Sequence, residues 1–167
     1  MAAAKVAFRR EHGSFQSQQA QVLAQNGVRK TNEHVDVLRV LNNRAYAALV
    51  ADTTIGIAAY ATLLSARITT LLANGFLIIT FSASSVHITN LATTRFQILV
   101  DGVVTKGCYV TYPVAGYAAS VSMIIRVPVR RGGHVVDVQW KTDNTSARIN
   151  ATSVVEEHAH LLVQEST

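Results

Sequence analysis

The sequence has few charged residues. Lys, Arg, Asp and Glu make up 15% of its 167 residues, where about a quarter is usual, and apolar residues reach 49%. A folded subunit of this composition exposes apolar surface that another molecule has to cover. The single cysteine, Cys108, excludes an internal disulfide and any cysteine-based metal motif, and we interpret it as a small core residue.

Long apolar segments are also missing. No run of 18 or more apolar residues occurs, because Arg67 and the Thr69-Thr70 pair interrupt the most apolar stretch and Asn74-Gly75 ends it. The first residues contain no apolar run of signal-peptide length. We therefore expect no membrane partner and synthesis in the cytoplasm.

Motifs that carry chemistry are absent as well. The serines lie in no G-x-S-x-G motif, and no glycine-rich phosphate loop precedes a helix. His158 and His160 would share one face of a strand, as a metal-binding pair does. Two ligands without a third donor do not make a site, so they are weak candidates, and the alternative is that both are solvated or hydrogen-bonded. We expect no catalytic residue, no cofactor and no enzymatic activity.

The clearest structural pattern is the alternation in residues 134–142. Val136, Val138 and Trp140 share one face of an extended chain, and mostly polar residues share the other. Trp140 is the only tryptophan, so we expect its face to lie at the centre of a sheet-on-sheet core. Asp143-Asn144 predicts a turn, after which residues 147–150 return as the second strand of a hairpin.

The last predicted strand covers residues 158–164 and places Ala159, Leu161 and Val163 on one side. Upstream, Asn74-Gly75 predicts a turn between residues 63–72 and 76–88, which would form an antiparallel pair.

Three further signals concern turns and edges. Asp101-Gly102 is the strongest short hairpin signal, and residues 130–133 predict another turn. Pro128 predicts an edge position or the end of a strand.

These segments together predict an all-β fold. Eight short strands without intervening helices indicate an eight-stranded antiparallel jelly-roll sandwich. The predicted strands start at Thr62, Phe76, Phe96, Val103, Ala119, His134, Ala147 and His158. The predicted core includes Phe76, Phe81, Phe96, Val138, Trp140 and Leu161.

The first 50 residues differ in character. They carry seven basic and three acidic residues, so most of the formal net charge of +5 lies here. We interpret residues 1–50 as an extended, partly helical N-terminal arm, with helices over residues 15–25 and from Thr31 or Asn32 to Arg44, and residues 51–61 as a linker to a jelly-roll domain over residues 62–167. The residues expected to bind a partner are Phe8, Arg9, Arg10, Phe15, Arg29, Lys30 and Leu38. Aromatic residues near the basic ones are too few to favour nucleic acid.

Five segments carry a resemblance to a known family. They are FLIITFSAS (76–84), FQILVDG (96–102), SMIIRV (122–127), GHVVDVQW (133–140) and HAHLLVQE (158–165). They resemble the trimeric jelly rolls of tailed-bacteriophage virion proteins, which are similar in shape to the C1q and tumour-necrosis-factor modules. The resemblance covers about residues 60–165 and implies a threefold virion component without catalysis.

A trimer also has a physical basis. Residues 76–81 are apolar at nearly every position, so both faces of that strand should be covered, one by the subunit and one by neighbours around a closed axis. The alternative is a monomer with a large core.

Two functions remain open. The first is a capsid decoration, or cement, protein that trimerises through its jelly roll and holds neighbouring capsid subunits with its arm. The second is a tail-fibre or spike tip that contacts a host surface glycan or protein. The short arm without a repeat favours the first function. A secreted cytokine-like ligand lacks support, because we see neither a signal sequence nor a disulfide.

Overall fold

The structure is a computed structural model that describes residues 43–56, 58–87, 91–143, 147–149 and 159–167. These residues belong to one compact unit of the chain, Val40–Thr167, and all their regular elements are strands, which confirms the predicted all-β class. The strands of the described part are β1 (Arg44–Ala48), β2 (Thr53–Ile55), β3 (Ala61–His87), β4 (Ala92–Val100), β5 (Val103–Tyr112), β6 (Ala118–Thr142), β7 (Ala147–Ile149) and β8 (His160–Ser166).

Two long strands, β3 and β6, pair antiparallel along most of their length and belong to both layers of the sandwich. The first layer contains residues 74–87 of β3 flanked by β8 and by residues 118–130 of β6, with β1 beyond β8 and β7 and β2 at one end. The second layer contains residues 132–142 of β6 flanked by β4 and by residues 61–70 of β3, with β5 beyond β4. All of these pairs are antiparallel.

The core lies between the two layers. Phe81 of the first layer packs against Phe96 of the second, with ring centroids 5.8 Å apart, and Trp140, the cross-strand neighbour of Phe96, stacks against it at 6.3 Å. Alternate residues of each strand face this core, as the pleat of a strand requires. Of the predicted core set, the structure buries Phe81, Phe96, Val138, Trp140 and Leu161.

Phe76 does not lie in the core. Leu77, Ile79 and Phe81 point inward and are fully buried, so Phe76 has the opposite parity and lies half-buried on the outer side of the first layer. The prediction failed because the segment is apolar on both faces, and composition alone does not distinguish them. Cys108 also differs, since it is only half-buried, and burial raises the pKa of its thiol.

Two predicted turns are absent. Asn74-Gly75 lies inside β3 and Gly132-Gly133 inside β6, and both strands continue through these positions. The register between them shifts from Thr70 to Asn74, and Gly132 has a φ of 152°. Gly132 permits this backbone angle next to a β-bulge. At the bulge, both strands pass from one layer to the other.

The side chain of Glu165 occupies this corner. Its carboxylate oxygen Oε1 accepts hydrogen bonds from the backbone N–H groups of Leu71 and Leu72, each at 2.8 Å, and Asn43 donates to Oε2. Thr70 adds a bond from its hydroxyl to the Arg130 carbonyl at 2.8 Å. The bulge therefore has its unpaired backbone groups satisfied by buried side chains.

Two strands occur before residue 61, where we expected the end of the arm and a linker. β1 pairs with β8 from Arg44 opposite Gln164 to Ala48 opposite His160, and β2 pairs with β7. Arg44, the expected end of a helix, is thus the first residue of a strand. Both partners lie about a hundred residues further along the chain, so no local signal identifies the strands. The rest of the arm lies outside the described residues.

The predicted hairpin between β6 and β7 is also wrong, because residues 147–149 pair with β2 and β3. The hairpin at Asp101-Gly102 is present, and both residues have positive φ angles of 51° and 79°. Pro128 lies in the part of β6 whose described partner is β3 alone, which is the edge position that proline predicts. The last strand begins at His160, with Ala159, Leu161 and Val163 fully buried.

Candidate oligomerisation face

The outer side of the first layer carries apolar side chains on four neighbouring strands, with a few polar residues between them. One cross-strand row joins Ile124, Thr80, Leu162 and Tyr46, whose registers place them side by side on four neighbouring strands. Ile124 is 68% exposed and Tyr46 63% exposed. We call this surface the apolar face and define it by Tyr46, Phe76, Ile78, Ile124, Pro128 and Leu162.

The next two rows extend the apolar face towards the corner of the sandwich. Ile78 lies between Arg126 and Gln164, and Phe76 lies between Pro128 and Ser166. The guanidinium carbon of Arg126 lies 3.6 Å from the centroid of the Phe76 ring, which is a cation–π contact. Arg126 also donates a hydrogen bond of 2.8 Å from Nη2 to the Thr167 carbonyl.

The row on the other side of Thr80 is polar. Ser82 lies beside His160, and its hydroxyl is 3.0 Å from Nε2 of that histidine. The His160 ring also stacks against Tyr46 with centroids 6.3 Å apart. His160 is thus a hydrogen-bonded and stacked residue, as one of the two alternatives expected. His158, the other weak metal candidate, lies outside the described residues.

Several sequence-based candidates are not placed. The arm residues Phe8, Arg9, Arg10, Phe15, Arg29, Lys30 and Leu38 all lie outside the described residues. Within the described ranges, no three His, Cys, Asp or Glu side chains are grouped so that they could hold a metal ion. No helix of the described chain is long and apolar enough to cross a membrane.

Sequence reasoning missed a buried polar cluster between the layers. His87 and Thr142 are fully buried, and Nε2 of His87 lies 2.8 Å from the Thr142 hydroxyl. Ser85 is hydrogen-bonded to the hydroxyl of Tyr112, whose ring also contacts His87 with centroids 5.5 Å apart. Burial raises the pKa of Tyr112, and the hydrogen bond with Ser85 opposes this effect without cancelling it. Within this cluster the Ser85 hydroxyl therefore pairs with a phenol.

The Asp101–His134 pair joins the β4–β5 turn to β6. Nδ1 of His134 lies 2.7 Å from Oδ2 of Asp101, and Nε2 lies 2.8 Å from the Arg130 carbonyl. Burial by itself lowers the pKa of His134, but these two contacts outweigh it and raise the pKa. Burial by itself raises the pKa of Asp101. The hydrogen bonds from His134 and from the Val135 N–H outweigh this effect, so the net pKa of the Asp101 carboxyl is lowered.

Comparison with known proteins identifies the fold. No protein-family model matches the sequence, and no curated protein matches it either. The structure of Eiger TNF from S. frugiperda is similar, with a TM-score of 0.51 and 7% identity, and the match covers 73% of this chain and 91% of that one. The likeness supports the predicted jelly-roll fold.

A weaker likeness exists to the CBM36-1 domain of a multidomain xylanase from the hindgut metagenome of Trinervitermes trinervoides. Its TM-score is 0.41 at 15% identity, and the match covers 75% of this chain and 99% of that one.

Proposed function

We propose that this protein is a structural component of a bacteriophage virion, without catalytic activity. It decorates the capsid as a homotrimer, joined through the apolar face of its jelly roll, and its N-terminal arm binds neighbouring subunits of the major capsid protein. The observation that carries the proposal is the apolar face, because a surface with Ile124 and Tyr46 more than 60% exposed is costly to leave in water.

The shape of this surface supports a closed assembly. It lies on the outer side of one layer and reaches the β6 edge, where Pro128 removes a backbone donor and so discourages continuous strand pairing with another chain. Association face to face around an axis covers the apolar side chains without extending the sheet. A closed ring then limits growth, which fits a soluble component that assembles onto a particle.

The arm provides the second part of the proposal. Its basic residues suit an acidic protein surface, and its apolar residues, such as Phe8 and Phe15, suit burial against a partner. The 42 residues before Asn43 would reach up to about 140 Å if extended, enough to cross a neighbouring capsomer.

The test is removal of the arm. Because β1 begins at Arg44 and Asn43 donates to the buried Glu165, the deletion should end at Asn42, so that the jelly roll keeps its first strand and its corner contact. We expect the truncated protein to form an oligomer with the same number of subunits as the full chain. It should no longer bind purified capsids that lack the protein. The matched control is the full chain with Thr62→Ala, an exposed substitution within the jelly roll.

Capsid binding at full strength by the truncated protein would refute the role of the arm. Binding of that same protein to host cells, in the absence of capsid binding, would instead favour a receptor-binding tip.

A further inference from the structure

The outer side of the second layer differs in chemistry from the apolar face. Arg95 lies opposite Tyr109 of β5 and opposite Lys141 of β6, and the Lys141 amine lies 4.6 Å from the centroid of the Tyr60 ring. Tyr109, Arg95 and Lys141 thus form one row across three strands, and Tyr60, just before β3, continues it. Its ends are three strand spacings apart, or about 14 Å, which is the length of a short oligosaccharide.

Both ends of this row present an aromatic ring to solvent. Tyr109 is 70% exposed on the edge strand β5, and Tyr60 is 37% exposed just before β3. Neither ring belongs to the core cluster. An exposed tyrosine on a polar sheet offers a flat apolar surface with a hydroxyl at its rim, which matches the apolar face and hydroxyl groups of a sugar ring.

A second row of amide groups lies beside the first. Gln97 donates a hydrogen bond of 2.8 Å from Nε2 to Oε1 of Gln139, which fixes both side chains. The remaining oxygen of Gln97 and the remaining N–H of Gln139 can serve a ligand. Gly107, opposite Gln97 on β5, adds no side chain that would cover them.

The charges of the face nearly cancel. Nε and Nη2 of Arg95 donate to the two carboxylate oxygens of Asp143 at 3.2 and 3.1 Å, which leaves Lys141 as the main positive charge of the row. Donors and acceptors therefore alternate without a strong net field. The complement of such a surface is a neutral ligand whose groups both donate and accept.

We propose that the outer side of the second layer is a binding site for a neutral glycan chain. Tyr109 and Tyr60 stack on sugar rings at the two ends of the row, while Gln97, Gln139 and the Arg95–Asp143 pair bind hydroxyl groups between them. The site shares no residue with the apolar face, so it goes beyond the capsid role and does not depend on it.

The experiment measures retardation of the full-length protein in native gels that contain soluble neutral polysaccharides: dextran, galactomannan and arabinoxylan. Polygalacturonate and single-stranded oligo(dT) serve as polyanionic probes. We expect at least one neutral polysaccharide to retard the protein, and Tyr109→Ala to weaken that binding about tenfold, the effect of losing one stacked ring. Tyr60→Ala should weaken it to a similar extent.

Tyr117→Ala is the matched control, because Tyr117 is also a half-exposed tyrosine but lies in the β5–β6 connection outside the face. Circular dichroism verifies that each variant is folded. Absence of retardation by every neutral polysaccharide, retardation by the polyanions alone, or an equal loss of binding in Tyr117→Ala would overturn the proposal.

Discussion

The carboxylate of Glu165 accepts a hydrogen bond of 2.8 Å from the backbone N–H of Leu71, at the corner where β3 passes from one layer of the sandwich to the other. The same oxygen accepts from Leu72, and Glu165 is only 1% exposed. One side chain of the last strand thus satisfies the backbone of a bulge more than ninety residues away. Beyond this bulge, Asn74 and Gly75 continue β3 opposite Arg130 and Val129 instead of forming a turn.

Removal of this carboxylate should destabilise the fold. Glu165→Ala removes the acceptor of the part-buried Leu71 and Leu72 amides, and we expect the free energy of unfolding to fall by about 1 to 3 kcal/mol. Glu165→Gln keeps one oxygen for the two amides but places an NH2 group against the Asn43 donor, so its loss should be smaller. Urea denaturation measures both.

The control for these variants is Ser166→Ala. Ser166 is the next residue of β8, is half-buried and lies on the opposite face of the strand from Glu165. It should change stability by less than about 0.5 kcal/mol. A loss in Glu165→Ala no greater than that of the control would show that water replaces the carboxylate at the bulge.

The apolar face should control assembly without controlling folding. Ile124→Lys introduces a charge at a position that is 68% exposed in the subunit, so the fold should tolerate it, but the charge would have to be desolvated in an interface. We expect light scattering to give a trimer for the wild type and the 18.0 kDa subunit for Ile124→Lys.

The matched control is Val103→Lys, which changes a residue of similar exposure, 66%, in the β4–β5 hairpin away from the apolar face. This variant should remain trimeric. A wild type that is monodisperse at the subunit mass at micromolar concentration would contradict the trimer, and equal dissociation in both variants would contradict the assignment of the face.

Stability should depend on pH through the Asp101–His134 pair. The pKa of His134 is raised above 6.5, so its contribution is present below pH 6.5 and is lost as the pH rises through the higher folded-state value. The pKa of Asp101 is lowered below 3.8, so its contribution is present above pH 3.8 and is lost as the pH falls through the lower folded-state value. The stabilisation by this pair is therefore greatest between pH 3.8 and pH 6.5.

Asp101→Asn removes the charge with little change in shape. Asp101 is half exposed, so its ion pair is screened by solvent. We therefore expect the free energy of unfolding of the wild type to exceed that of this variant by no more than about 1 kcal/mol at pH 5.5, and by less at pH 8.5. Urea denaturation at the two pH values gives the difference, and His134→Gln should remove its dependence on pH. A difference that increased towards pH 8.5 would contradict the raised pKa of His134.

Much of the sandwich could be predicted from local patterns. Alternation in residues 134–142 placed Trp140 inside, and Asp101-Gly102 identified a hairpin whose two positive φ angles few other residue pairs adopt readily. These features are local because the parity of a strand and the φ preference of a turn depend on adjacent residues. The same parity holds in the last strand, where Leu161 and Val163 are buried.

The candidate sites could not be predicted in this way. The apolar face joins Tyr46, Ile124 and Leu162 from strands far apart in sequence, and the polar row brings Tyr60 and Lys141 beside the β4–β5 hairpin that carries Arg95 and Tyr109. The parity of Phe76 was ambiguous because both faces of its strand are apolar. Which residues share a face depends on strand order and register, and these follow from pairing across the whole domain.

The sequence by itself determined the all-β class, the parity of its most regular strands and the tight turn at Asp101-Gly102, because each depends on residues next to one another. Only the tertiary structure decided that both strands continue through Asn74-Gly75 and Gly132-Gly133, on either side of a bulge at residues 71–73, and that residues 44–48 form a strand at all. A glycine permits a turn and a bulge equally. The choice is made by distant partners, β8 for residues 44–48 and the Glu165 carboxylate for the bulge in β3, whose hydrogen bonds exist only after the chain has folded.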